Sequence, residues 1–227
     1  MAGKVFIAVG HGGSDPGAVA NGFKEKDLNL TISLACRDEL ERHGVTVLMS
    51  RTKDESEDLT EQVSECNSFS PNLAVNIHNN AGGGDGAEVF HTINGGTGKT
   101  LAVNILDEIK VIGQNSRGAK TRKNSSGTDY YGFIRNTKAP AVIVECAFLD
   151  NKTDIQIIDT AAEQKAMGIA IAKGVLKTLG VAYRDPVTTK TIHRVQVGAF
   201  ENLTYAKTLC DKLKKDGYDA YIVSATK

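Results

Sequence analysis

Three short runs, "KVFIAV" (4–9), "NLAVNIH" (72–78) and "AVIVECAF" (141–148), are apolar at almost every position rather than at every second one. Strands of that kind are buried on both faces, and such strands form parallel sheets covered by helices. Between them lie segments of helical period. In "EKDLNLTISLACRDELERHG", Leu28, Ile32, Ala35, Cys36 and Leu40 share one face and Gly44 stops the turn. "DLTEQVSECNSF", "GKTLAVNILDEIKVIG" and "AAEQKAMGIAIAKGVLKTLG" read as further helices, "VTVLMSR" as another strand and "GAEVFHT" as an edge strand. The alternation predicts an α/β fold, a mostly parallel sheet with helices on both faces.

After Gly180 the pattern changes. "VAYRDPVTTKT" has no period, a proline and several threonines, and reads as a linker. "IHRVQVGAF", "NLTYAKTLCDKLKKDGY" and "DAYIV" then give strand, helix, strand, a small βαβ unit. The expected organisation is an α/β domain over 1–180, a linker over 181–191 and a module over 192–227.

A formal net charge of zero gives no general reason to expect nucleic acid. The four cysteines, Cys36, Cys66, Cys146 and Cys210, are far apart and read as reduced, buried thiols. No stretch is long and apolar enough to enter a membrane. The six apolar residues near the start are too few for a signal segment. Together these features predict a protein held in the cytoplasm where it is made.

"INGGTGKT" (93–100) ends like a phosphate loop, but Ile93 stands where that motif needs glycine, and a helix start with a threonine cap explains it. "GHGG" (10–13) lacks dinucleotide spacing. His11 instead sits where the first strand ends, and His78 ends the "NLAVNIH" strand ahead of another glycine-rich loop. Open parallel sheets bind ligands at the carboxyl ends of their strands. Glu25 opens the helix that follows the first strand, at the same rim. Glu145 stands inside the last apolar strand, where a carboxylate without a partner is costly. Two histidines and two glutamates on one edge are the composition of an open zinc site, three ligands and a spare carboxylate. The glycines keep that rim open to a bulky substrate. Of the other histidines, His43 reads as a helix-surface residue, His91 as part of the edge strand and His193 as the start of the tail module. Cys146 should face the helices, away from Glu145.

These residues resemble a known family. "GHGGSDPGAVANGFKEKDLNL", "SRTKD", "NIHNNAGG" and "RNTKAPAVIVECAFLDN" are similar, in order, to motifs of the zinc N-acetylmuramoyl-L-alanine amidases of autolysins and phage endolysins. The resemblance implies one Zn²⁺ per chain on His11, Glu25 and His78, with Glu145 as the catalytic acid/base. It implies cleavage of the amide between N-acetylmuramic acid and L-alanine in peptidoglycan. Where many members carry an acidic residue before GHGG, this chain has Ala8-Val9, so the expected partner orienting His11 is missing from that position. Asn79, Asn80 and Arg135 are candidates for holding substrate.

The tail resembles half of a SPOR repeat, with Gln196 and Phe200 as candidate wall contacts. One copy suggests a homodimer that completes the module from two chains. The reading at this point is a phage endolysin that stays in the host cytoplasm until lysis. A sporulation or mother-cell autolysin, a zinc carboxypeptidase-like peptidase and a wall-binding protein with an inactive site are the alternatives.

Overall fold

The apolar runs lie side by side at the centre of the computed structural model, which describes residues 3–186 and 195–224. In chain order the elements are β1 (Lys4–Val9), the two-residue strands β2 (Val19–Ala20) and β3 (Phe23–Lys24), and α1 (Glu25–Arg42). β4 (Thr46–Met49), α2 (Leu59–Phe69), β5 (Leu73–Asn80), β6 (Ala87–His91) and α3 (Gly96–Val111) follow. β7 (Ser116–Lys120), α4 (Gly132–Asn136), β8 (Ala141–Phe148), α5 (Lys152–Ile155) and α6 (Ala161–Leu179) complete the first unit, and α7 (Leu203–Lys215) is the helix of the second.

The main sheet runs β4-β1-β5-β8-β6-β7. The first four strands are parallel, and β6 lies antiparallel to β8 with β7 parallel to β6. β6 is therefore an inner strand and not the edge. The edge on that side is β7, "SRGAK", whose polar residues and glycine carry little strand signal.

Burial explains why the apolar runs form the centre. Val5 to Val9 are completely buried, with alternate side chains entering two cores. On one face Ile7, Ile77 and Val144 meet α1, α3 and α6 through Ile32, Ile105 and Ile171. On the other, Phe6, Ala74 and Ile143 meet α2 and α4 through Cys66 and Phe133. α6 nests closely between its neighbours because it carries glycine at two contacts. A Cβ on Gly168 would lie 2.4 Å from the Ile32 carbonyl oxygen, and one on Gly174 would lie 2.5 Å from the Ile105 Cα.

Helix ends follow from local chemistry. Asp58 with Glu61 and Thr160 with Glu163 form capping boxes at the starts of α2 and α6. Gly180 closes α6 in the left-handed conformation. α3, in contrast, starts at Gly95 with no side-chain cap, so the threonine cap expected there is not formed.

The contacts divide the chain into Met1–Arg184 and Asp185–Lys227. The linker expected from residue 181 thus begins later, since Val181 and Tyr183 pack on the core. His43, expected on the surface, is buried. It stacks on Tyr183 at 4.9 Å and accepts a hydrogen bond from the Arg184 amide. Linker residues 187–191, His193 and the first residues of the expected strand over 192–200 lie outside the described residues. In the second unit Asn202 caps α7. The described residues 195–200 and 219–223, which flank α7 in sequence, form no strand ladder. Val195, Val197, Phe200 and Val223 stay exposed there. No helix among the described residues is long and apolar enough to cross a membrane.

Candidate metal centre and catalytic rim

Three elements deliver the donors. His11 lies just past β1, where the backbone turns into the left-handed region at φ 60. A non-glycine residue holds that conformation only when its surroundings enforce it. Here Gly10 N–H donates to the Ile77 carbonyl at 3.0 Å, and a paired bridge closes Gly12 against Asp15. Glu25 is the first residue of α1, fed by the β2–β3 hairpin. Its Oε2 accepts from the Ala18 amide at 2.9 Å, and its Oε1 accepts from the Asn79 amide at 3.1 Å. His78 stands near the carboxyl end of β5, beside an irregularity in the β5–β8 register between His78 and Asn80. Such breaks re-aim side chains near sites.

One ligand atom each from His11, Glu25 and His78 lie within 4.8 Å of one another. His11 Nε2 is 3.1 Å from Glu25 Oε2, and His78 Nδ1 is 3.0 Å from Glu25 Oε1. The imidazoles meet edge to face, 5.0 Å between centroids. Two glycines make this possible. A Cβ on Gly10 would sit 2.3 Å from the His78 ring, and one on Gly17 would sit 2.5 Å from Glu25 Oε2. The glycines therefore let the ligands approach one another, a tighter role than keeping the rim open.

The electrostatics suit a cation. Burial opposes ionisation of Glu25, yet the hydrogen bonds from His11 and His78 hold its carboxyl well below the usual range. The Glu25 carboxylate raises His11 to about 9 against the cost of burial, with Asp15 adding to the effect. Two imidazole nitrogens and a carboxylate oxygen are a donor set that fits Zn²⁺. Asp15 supplies the partner missing ahead of GHGG: its Oδ2 is 2.7 Å from His11 Nδ1, leaving Nε2 to face the centre.

Glu145 is the register partner of His78 on one side and of Glu88 on the other. Burial pushes its carboxyl up to about 7; His78 pulls the other way, and Glu25 and Glu88 add to the rise. Glu88 is buried and paired with Arg117 and Lys120 of β7. The sequence reading passed over Glu88, although a carboxylate inside a strand, the signal used for Glu145, marks it too.

The substrate candidates fare differently. Asn79 is only 3% exposed, and its amide donates to Asn29 Oδ1 at 2.9 Å, so it braces Glu25 from behind and does not face substrate. Asn80 bonds Glu88 Oε1 at 3.2 Å, toward Glu145. Arg135 is exposed, and its Nη1 donates to the Asp129 and Tyr130 carbonyls at 2.7 and 2.9 Å. Cys146 is fully buried among the helices of the first core, with its thiol held well above the ordinary value by burial.

A covered, mostly parallel sheet carries a candidate His/Glu/His metal site at its rim, the architecture of an α/β metal-binding protein. Residues 5–177 match the N-acetylmuramoyl-L-alanine amidase family, and residues 171–224 match the SPOR domain. The chain belongs to the N-acetylmuramoyl-L-alanine amidase family and is a peptidoglycan hydrolase. It is 34% identical to N-acetylmuramoyl-L-alanine amidase CwlM of Bacillus licheniformis over 97% of this chain and 84% of that protein. It is 30% identical, with the same coverage, to the sporulation-specific N-acetylmuramoyl-L-alanine amidase of Bacillus subtilis (strain 168). The solved structure of the amidase AmiC2 of Nostoc punctiforme superposes with a TM-score of 0.72 at 27% identity, covering 79% of this chain and 98% of that one.

Proposed function

We propose that the catalytic unit binds one Zn²⁺ through His11, Glu25 and His78, and that Glu145 is the acid/base for cleavage of the amide between N-acetylmuramic acid and L-alanine. The observation that carries this reading is the set of three donor atoms within 4.8 Å, with Glu145 in register beside His78. Zinc there would polarise the scissile carbonyl and acidify water. Asp15 keeps the His11 tautomer that points Nε2 at the centre. Glu145, at about 7, is suited to take a proton from the attacking water and return it to the leaving L-alanine nitrogen. A carboxypeptidase would need an arginine for a terminal carboxylate, and the family match over residues 5–177 favours the amidase over that alternative.

Gln196 and Phe200, both exposed, are proposed as wall contacts of the SPOR segment, and two tails are proposed to pair. The four buried free thiols support residence in the producer's cytoplasm until the membrane is breached. The relative named sporulation-specific matches through the tail as well as the body, which favours a cellular autolysin over the phage lysin.

The test uses purified cell walls. Glu145→Ala should keep zinc while release of L-alanine amino groups falls by several orders of magnitude, whereas His78→Ala should lose the metal. Normal wall digestion by Glu145→Ala would refute the mechanism.

A further inference from the structure

Arg51 follows β4 and is 2% exposed, among the largest fully buried side chains of the body. Its Nη2 donates to the Gly10 carbonyl at 3.2 Å and to the Lys26 carbonyl at 2.8 Å, and its Nη1 donates to the Lys53 carbonyl at 3.1 Å. Its Nε is buried with no partner. Its hydrogen bonds all go to carbonyls, and burial lowers its pKa despite the nearby carboxylates of Asp54, Asp27, Glu57 and Glu55; a buried cation held this way is costly, which calls for a reason.

The acceptors supply one. The Gly10 carbonyl belongs to the peptide that leads into His11, and Lys26 directly follows Glu25. One guanidinium nitrogen therefore joins the loop carrying one ligand to the helical turn carrying another. A second tie runs outside it. Lys26 Nζ bonds the Gly13 carbonyl at 2.8 Å and Asp54 Oδ2 at 2.7 Å, while Asp54 Oδ1 accepts from the Gly13 amide at 2.8 Å. Both ligand-bearing segments are thus fastened to residues 51–54.

We infer that Arg51, with Asp54 as its outer support, is a positioning residue that sets the spacing of His11 and Glu25 for metal. The rigid guanidinium plane fixes Nη2 between the Gly10 and Lys26 carbonyls while Nη1 holds the Lys53 carbonyl, and a single ammonium cannot hold all three in that geometry. The inference rests on the reading that His11, Glu25 and His78 hold Zn²⁺.

The experiment is competition for Zn²⁺ against a chromophoric chelator, alongside melting of metal-free protein, for full-length wild type and variants. Arg51→Lys should weaken zinc binding about 10–100-fold, the effect of losing a supporting contact behind a ligand. Asp54→Asn, at the exposed end, should weaken it in the same direction by less. Asn104→Ala, which cuts the Asn104–Thr178 bond between α3 and α6, should lower the melting temperature and leave zinc affinity unchanged. Wild-type affinity in Arg51→Lys, with only a lower melting temperature, would overturn the inference. Should Arg51→Lys fail to fold, wild-type affinity in Asp54→Asn overturns it instead. Failure of the metal reading itself looks different: wild type binds no zinc, or His78→Ala binds as tightly as wild type.

Discussion

His11 is gripped from two sides, by Glu25 at Nε2 and by Asp15 at Nδ1. Asp15 is well exposed and also accepts from the Gly17 amide, so its removal costs the body little packing. Asp15→Ala should nevertheless weaken zinc binding about 10–100-fold, because nothing then selects the tautomer or fixes the ring. Chelator competition measures this directly, and wild-type affinity in the variant would count against the assignment. The two histidines and two glutamates were legible because each is a polar residue at the end of, or inside, an apolar run. Asp15, Asn29 and Arg51 were not singled out, since each looks like an ordinary loop or helix residue until the chain folds. The place of Asn79 was not legible either, because its side chain turns to Asn29 and its backbone amide to Glu25 only in the folded chain.

Between elements, the informative contact is that of β6 with β7. Glu88 of β6 is buried, and burial alone would raise its carboxyl, but Lys120 and Arg117 of β7 hold it below the ordinary range. A depressed folded value means that this pairing stabilises the protein above the unfolded carboxylate pKa, and the contribution disappears as pH falls through the folded value. Glu88→Gln should therefore lower the melting temperature by ~2–4 °C near neutral pH, corresponding to about 1 kcal/mol for cations that are a third exposed. The difference between variant and wild type should shrink toward zero in strong acid. Thermal melts from pH 7 to pH 3 check it, and a gap that stays constant with pH would exclude the ion pair as its source. α1, β5, α6 and β8 were readable because their periods are long and their apolar residues consistent. β7 was not, because an edge strand held by ion pairs has no need of apolar residues.

At the scale of the whole molecule, the open matter is the tail. α7 shows Leu203 and Tyr205 to solvent, and Val195, Val197 and Phe200 are exposed beside it in sequence. A unit of this size seldom buries enough apolar surface alone, and a second copy would supply a symmetric partner. Light scattering should give a dimer for the full-length chain and a monomer for a chain ending at Arg184. A full-length chain that remains monomeric at tens of micromolar would eliminate the pairing.

The layered α/β body, the order of most elements and the four residues of the rim follow from the sequence by itself, because periodicity and the placement of polar residues are local properties. Only the tertiary structure decided that β6 runs against β8, which places Glu88 beside Glu145. It also decided that Asp15 stands behind His11 and that Arg51 joins the segments carrying His11 and Glu25. Strand direction and the meeting of Arg51 with Lys26 and Gly10, 25 and 41 positions away, depend on how distant surfaces are buried together, and no local pattern of side chains encodes that.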